Sequence, residues 1–283
     1  EENSIENIFS NLDQNLTHIF TENYAAVLLD DGSWFGSLDN IEPERGYWLR
    51  VNESEQFNLT TYESPENLEY SLHYGNNLIS YIGEDNAPIN DALPDDVENY
   101  FTDIITENLS ATRDEDGNWI GSLAEIGLQH LKGYWVNVSQ DLVFSYSNLD
   151  ASSRSYNNHQ PSFSRTNNIS DNFSYKQSQN QAFYFIKDIK IDSGVINNND
   201  WIIAYHDNVV VGARKWFGEY SDIPAMGNDG FYETSGYCSE NSTVTFKLFK
   251  TATLELIDLI GDIPEWSNSS NFIIYELHEK GMF

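Results

Sequence analysis

Asp31-Gly32-Ser33-Trp34-Phe35-Gly36-Ser37-Leu38, followed by Gly46-Tyr47-Trp48-Leu49-Arg50-Val51, returns as Asp116-Gly117-Asn118-Trp119-Ile120-Gly121-Ser122-Leu123, followed by Gly133-Tyr134-Trp135-Val136-Asn137-Val138. The offset is 85 residues in the first block and 87 in the second. Upstream, Ile19, Thr21, Glu22 and Asn23 match Ile104, Thr106, Glu107 and Asn108. Self-similarity at a fixed period marks a duplicated supersecondary unit. The apolar sets Ile8, Leu12, Leu16, Ile19 and Leu93, Val97, Phe101, Ile104 are spaced 4, 4 and 3. That spacing predicts an amphipathic helix opening each unit, with Asn90 or Asp91 as the start in the second copy. Val27-Leu28-Leu29 then leads into Asp31-Gly32, the signature of a type I′ hairpin, and the Gly-Tyr-Trp run reads as a further strand. Each unit is expected to be α+β, its tryptophans packing helix on sheet or, alternatively, forming an aromatic sugar platform.

The second unit is preceded by Leu72-His73-Tyr74-Gly75-Asn76-Asn77-Leu78-Ile79-Ser80-Tyr81-Ile82-Gly83, which reads as a buried strand. The first has no counterpart, so it is expected to lack one strand and to offer an open edge. The start at Glu1-Glu2, with neither Met nor a signal sequence, reads as a processed or trimmed N-terminus. Asn271-Phe272-Ile273-Ile274-Tyr275 resembles Asn77-Leu78-Ile79-Ser80-Tyr81. It is the expected assembly strand, completing the first repeat of the next subunit in a head-to-tail contact. Two alternatives stay open: 271–277 as the last strand of its own domain, or completion within the same chain.

The 283 residues carry 14 Lys+Arg against 45 Asp+Glu, a net charge of −31. Such a chain is repelled by nucleic-acid phosphates and by anionic membrane surfaces, so neither is an expected partner. Residues 1–147 hold 28 acids and 4 bases, and 148–283 hold 17 and 10, which points to two regions of different chemistry. Between them, 151–180 contains 8 Ser, 6 Asn and 3 Gln without periodicity and reads as a linker or a slightly basic arm. No apolar run approaches the ~20 residues of a membrane span. The sequence therefore divides into an α+β repeat at 1–64, a second at 65–148, a linker or arm at 149–180 and an all-β sandwich at 181–283. In that last part, β-rich runs such as Trp201-Ile202-Ile203-Ala204-Tyr205 and Val244 to Phe249 alternate with Asx- and Gly-rich turns.

The runs Phe183 to Ile191, Asp200-Trp201-Ile202, Val211 to Trp216, Asp222 to Gly230, Thr234 to Tyr237 and Thr245 to Leu248 resemble a β-sandwich module of large secreted bacterial surface proteins. The Trp-x-Gly-Ser-Leu and Gly-Tyr-Trp repeats resemble units that accompany such modules. The resemblance implies an exported bacterial protein of the cell surface or extracellular space, and supplies no catalytic residues to carry over.

Catalytic patterns are missing from the sequence. No Gly-x-Ser-x-Gly elbow, Gly-x-Gly-x-x-Gly cradle or P-loop occurs, and His18, His73, His130, His159, His206 and His278 form no zinc pair. Cys238, the single cysteine, reads as a free structural thiol. Calcium is the one cofactor the residues suggest, held by Asp222, Asn228, Asp229 and Glu233 in one loop. Asn-x-Ser/Thr sites such as Asn15, Asn58 and Asn268 permit glycosylation. The expected function is a non-enzymatic extracellular structural or adhesive protein that forms a filament with itself. The alternative is a carbohydrate-binding module stacking glycans on Trp201, Trp216 or Tyr237, and the third reading is a secreted hydrolase with paired carboxylates.

Overall fold

The computed structural model describes residues 3–12, 15–54, 68–147, 173–192 and 194–281. Among the described residues the chain is mostly β, in several antiparallel sheets, with three short helices. It divides into two compact units, one of Glu1–Thr106 with Ile126–Arg154, the other of Glu107–Glu125 with Ser155–Phe283. Both repeats therefore contribute to the first unit, while the turn region of the second repeat belongs to the other. Most of the expected linker, including Arg154 and Arg165, lies outside the described residues.

In the first unit, β1 (Leu16–Thr21), β2 (Tyr24–Leu28), β3 (Trp34–Gly36) and β4 (Trp48–Val51) form an antiparallel sheet in the order β3-β2-β1-β4. β5 (Tyr70–Leu72) precedes β6 (Gly75–Tyr81) and β7 (Phe101–Thr106). The second repeat continues through β8 (Leu109–Arg113) and β9 (Trp119–Ile120), which belong to the other unit, to β10 (Lys132–Val138) and β11 (Leu142–Phe144). β10 lies between β6 and β7, antiparallel to both, and β11 pairs with β5.

The expected long helices are not there. The first reduces to α1 (Ile5–Ile8) and a 3-10 turn at Ser10–Leu12, the second to α2 (Ile89–Ala92) and a turn at Glu98–Tyr100. Leu16, Ile19, Phe101 and Ile104 all lie on strands instead. The cause of the misleading spacing is a bulge. Leu16 pairs with Val51 and His18 with Arg50, while Phe101 pairs with Val138 and Asp103 with Asn137. Thr17 and Thr102 are thus the extra residues, and an extra residue shifts the two-residue alternation so that side chains three apart share one face. The Thr17 hydroxyl donates to the facing Arg50 carbonyl at 3.1 Å, while that of Thr102 lies 3.3 Å from the Asn137 carbonyl and closer, at 2.8 Å, to the Asp103 carboxylate.

Other bonds recur at equivalent positions. Thr21 and Thr106 donate to the carbonyls of Gly46 and Gly133, each at 2.8 Å. The Tyr47 and Tyr134 hydroxyls accept from the amides of Glu42 and Gln129, again at 2.8 Å. The Asp-Gly turns are not type I′, which needs positive φ at both central residues. Only Gly32 (φ +83°) and Gly117 (φ +85°) are left-handed there, closing three-residue loops in which Asp31 and Asp114 carboxylates accept backbone amides.

In the second unit, β12 (Gln181–Ile186), β16 (Ser221–Met226) and β19 (Asn271–Ile274) form a three-stranded sheet in the order β16-β12-β19, with β12 and β19 parallel. A six-stranded sheet joins β13 (Ile189–Lys190), β14 (Trp201–His206), β15 (Val209–Lys215), β17 (Val244–Lys250), β18 (Glu255–Gly261) and β20 (Leu277–Glu279) in the order β13-β20-β18-β17-β14-β15. Tyr184, Ile223 and Ile274 from the first sheet share one core with Ile202, Phe246 and Leu248 from the second. Hydrophobic burial between the two faces is the main force holding this unit.

Candidate functional site

Two surfaces of the first unit and one polar node of the second stand out. The node forms where the second hairpin, β8–β9, lies against the sheets. α3 (Ser122–Ile126) begins at its end, and the Ser122 amide donates to Asp222 Oδ1 at 3.1 Å while its hydroxyl donates to Oδ2 at 2.6 Å. Arg214 on β15 lies 3.4 Å from the same carboxylate, donates through Nε to the Asp222 carbonyl and through Nη2 to the Asn108 carbonyl at 2.6 Å. Both Asp222 and Arg214 are buried. Burial pushes the Asp222 carboxyl above its usual range, against the opposing pull of Arg214 and Ser122.

The seat extends beyond the node. Asn271 accepts from the Ser110 hydroxyl at 2.9 Å and donates to the Ala111 carbonyl at 3.1 Å. The Tyr175 hydroxyl donates to the Asn108 side chain at 2.8 Å, and that of Tyr275 to Glu115 at 2.7 Å. Gly121 (φ +104°) lies so close to the Phe185 ring and the Ser110 carbonyl that any side chain there would collide with both.

On the first unit, β4 is the edge strand of its sheet. Among the described residues there is no counterpart of β6 along it. Leu49 and Val51 on β4 are 39% and 43% exposed, whereas their equivalents Val136 and Val138 on β10 are 2% and 0%. The other edge of β6 serves the first repeat only briefly: Gly46 N donates to the Leu78 carbonyl at 3.0 Å and Ser80 N to the Glu44 carbonyl at 3.1 Å. Glu22 fixes this junction, its carboxylate taking the His73 ring at 2.6 Å and the Leu78 amide at 3.4 Å. The first hairpin, β2–β3, is the other exposed surface. Phe35 is 68% exposed, and an open groove of about 610 Å³ runs beside it between Trp34, Leu38 and Asn7.

The residues singled out from sequence fall differently. Trp201, Trp216 and Tyr237 are 6%, 9% and 7% exposed, so none presents a ring face on which a sugar could stack. They fill cores instead, since an indole or phenol contributes its area wherever it is enclosed. Asn271 to Ile274, the expected assembly strand, is β19 of its own sheet, with Ile274 in the core and only Tyr275 beyond it exposed. The strand belongs to its own domain and is followed by β20 in the other sheet, and donating it would open that core.

The four expected calcium ligands do not converge. Asp222 is engaged by Ser122 and Arg214, roughly 13 Å of strand before Met226, after which the loop begins. In the loop, Asn228 accepts from the Gly230 amide at 2.8 Å and Asp229 from the Thr234 hydroxyl at 2.6 Å, while Glu233 sits on the 3-10 turn Tyr232–Thr234. Among the described residues, no group of three or more His, Cys, Asp or Glu is placed to hold a metal ion. No helix there is long and apolar enough to cross a membrane.

Sequence reasoning missed Ser122, Arg214 and Asn108. The available signal was the Gly-Ser pair kept in both repeats, at Gly36-Ser37 and Gly121-Ser122. No known family, curated protein or solved structure matches this chain.

Proposed function

We propose that this chain is a non-enzymatic structural or adhesive protein of the bacterial surface or extracellular space, built from two α+β repeats and a β-sandwich, that assembles head to tail with copies of itself. The observation that carries the reading is the unequal state of the two repeats. Apolar residues that the second repeat encloses, Val136 and Val138, have exposed equivalents in the first, Leu49 and Val51, along an edge strand. Such edges pair with other chains unless blocked by charge, proline or covering structure. The net charge of −31 keeps separate subunits apart in solution and favours association when salt screens it.

Light scattering and negative-stain microscopy on the whole chain, beside a Leu49→Lys/Val51→Lys variant, test this. Elongated polymers are expected from the native protein and not from the variant, whose added charges lie on the exposed edge. A native protein that stays a monodisperse monomer at high concentration and physiological salt overturns the proposal.

A further inference from the structure

The same hairpin occurs twice in this chain in two conditions. In the second copy, the Ser122 amide and hydroxyl both bind Asp222, Gly121 takes φ +104° and the Phe185 ring lies against it. In the first copy, Ser37 is exposed, its amide donates to the Ala25 carbonyl at 2.9 Å, and Gly36 takes φ +154°. The sequence offered at the seat is largely preserved. Asn23, left-handed at φ +65°, stands for Asn108 at φ +59°; Gly36-Ser37 stands for Gly121-Ser122, and Ala26 for Ala111. Ala25 replaces Ser110 and so lacks the hydroxyl that reaches Asn271. The chain thus holds two plugs of one design and, in its second unit, one seat built to take such a plug.

We infer that the first hairpin docks into the second unit of another copy, displacing that copy's β8–β9 hairpin and placing Ser37 on its Asp222–Arg214 pair. The Ser37 amide exchanges the Ala25 carbonyl for the Asp222 carboxylate, as the Ser122 amide does in its own chain. Phe35 and the groove beside Trp34 supply the area that an incoming domain covers. Plug and seat are different surfaces, so the contact is heterologous and propagates as an open chain unless it closes into a ring. The seat's own hairpin competes at the high effective concentration of a tethered segment, so exchange between native chains is weak and a vacated seat binds more tightly. The inference rests on the self-assembly reading and adds a contact separate from the β4 edge, since β3 and β4 are opposite edges of one sheet.

Three full-length proteins test it by sedimentation velocity across a concentration series: native, Gly121→Val to evict the resident hairpin, and Ser37→Arg to block the free one. Gly121→Val mixed with native chain is expected to associate at least tenfold more tightly than native chain alone. Ser37→Arg in the partner is expected to cut that gain at least tenfold. A Gly121→Val protein that keeps its far-ultraviolet dichroism and gains no association overturns the inference. Should that variant unfold, hydrogen exchange on native protein decides: the Ser37 amide must gain protection between dilute and concentrated samples, and constant protection overturns it. Polymers insensitive to Ser37→Arg overturn this interface while leaving self-assembly standing, whereas a monomer in every mixture overturns both.

Discussion

Removing the Asp222 carboxylate probes the second unit at its most constrained point. Asp222→Ala strands the amide and hydroxyl of Ser122 and leaves the Arg214 guanidinium buried without a counter-charge. Deleting one member of a buried pair costs about 3–5 kcal/mol, and the two stranded donors place this case toward the upper end. With a urea dependence of about 2 kcal/mol per molar, the unfolding midpoint falls by about 2 M. Arg214→Met is expected to cost a similar amount, since it strands the carboxylate and leaves the carbonyls of Asp222 and Asn108 without their donor. The double variant should fall short of the sum by about 2–3 kcal/mol, because both single changes destroy one interaction. Urea titrations followed by the emission of Trp201, Trp216 and Trp266, all enclosed in this unit, supply the four corners of the cycle. A single loss below about 1 kcal/mol, or additivity within about 0.5 kcal/mol, refutes the buried pair. The pH dependence has a definite sign. A carboxyl raised by burial is penalised only when ionised, so the penalty is absent below the ordinary value of 3.8 and grows as pH rises through the raised folded value. The advantage of native protein over Asp222→Asn therefore narrows as pH climbs through that window, and a widening advantage contradicts the assignment.

His73 is raised chiefly by its hydrogen bond to Glu22, so its stabilisation is complete below its ordinary 6.5 and lost as pH rises through the raised folded value. The pair is exposed enough that His73→Gln should cost only a few tenths of a kcal/mol near about pH 5.5 and nothing near about pH 9, read from paired thermal melts. Gly212→Ala drives a methyl into the Pro224 carbonyl on the neighbouring strand and should lower stability by about 1–3 kcal/mol, where a neutral result would show that β15 and β16 are less closely apposed. Cys238 is enclosed and its thiol is pushed up to about 12 by burial, so thiol reagents should label it only as fast as the second unit opens; immediate labelling in native buffer would contradict this. Thr102→Val removes the hydroxyl placed between the Asp103 carboxylate and the Asn137 carbonyl at the β7 bulge and should cost about 1 kcal/mol in urea titrations, more than Ser33→Ala, whose hydroxyl donates to Asp31 at an exposed turn.

What the sequence made legible was local. Asp-Gly turns, β-branched runs and the 85-residue offset identify the hairpins, because turn chemistry and two-residue alternation act over a few residues. The helix expectation failed at Thr17 and Thr102, where one extra residue turns the alternation of a strand into a spacing of three that also fits a helix. Burial of Trp201, Trp216 and Tyr237 was illegible because a core and a sugar platform require the same aromatic side chains. The Ser122–Asp222 contact spans 100 residues, and no local preference announces which of 45 acids a serine will meet. Asn271 was singled out for its neighbours' resemblance to β6, while its role in the seat comes from amide chemistry directed at Ser110 and Ala111.

The parallel pairing of β12 with β19 has a temporal consequence. Asn271 is made about 160 residues after the hairpin it receives, and Asp222 about 100 residues after it. At roughly 5–20 residues per second of translation, the β8–β9 hairpin waits about 8–30 s before β19 exists to hold it. β19 is thus the keystone of the second unit, since the seat for the β8–β9 hairpin stays unfinished until that strand pairs with β12.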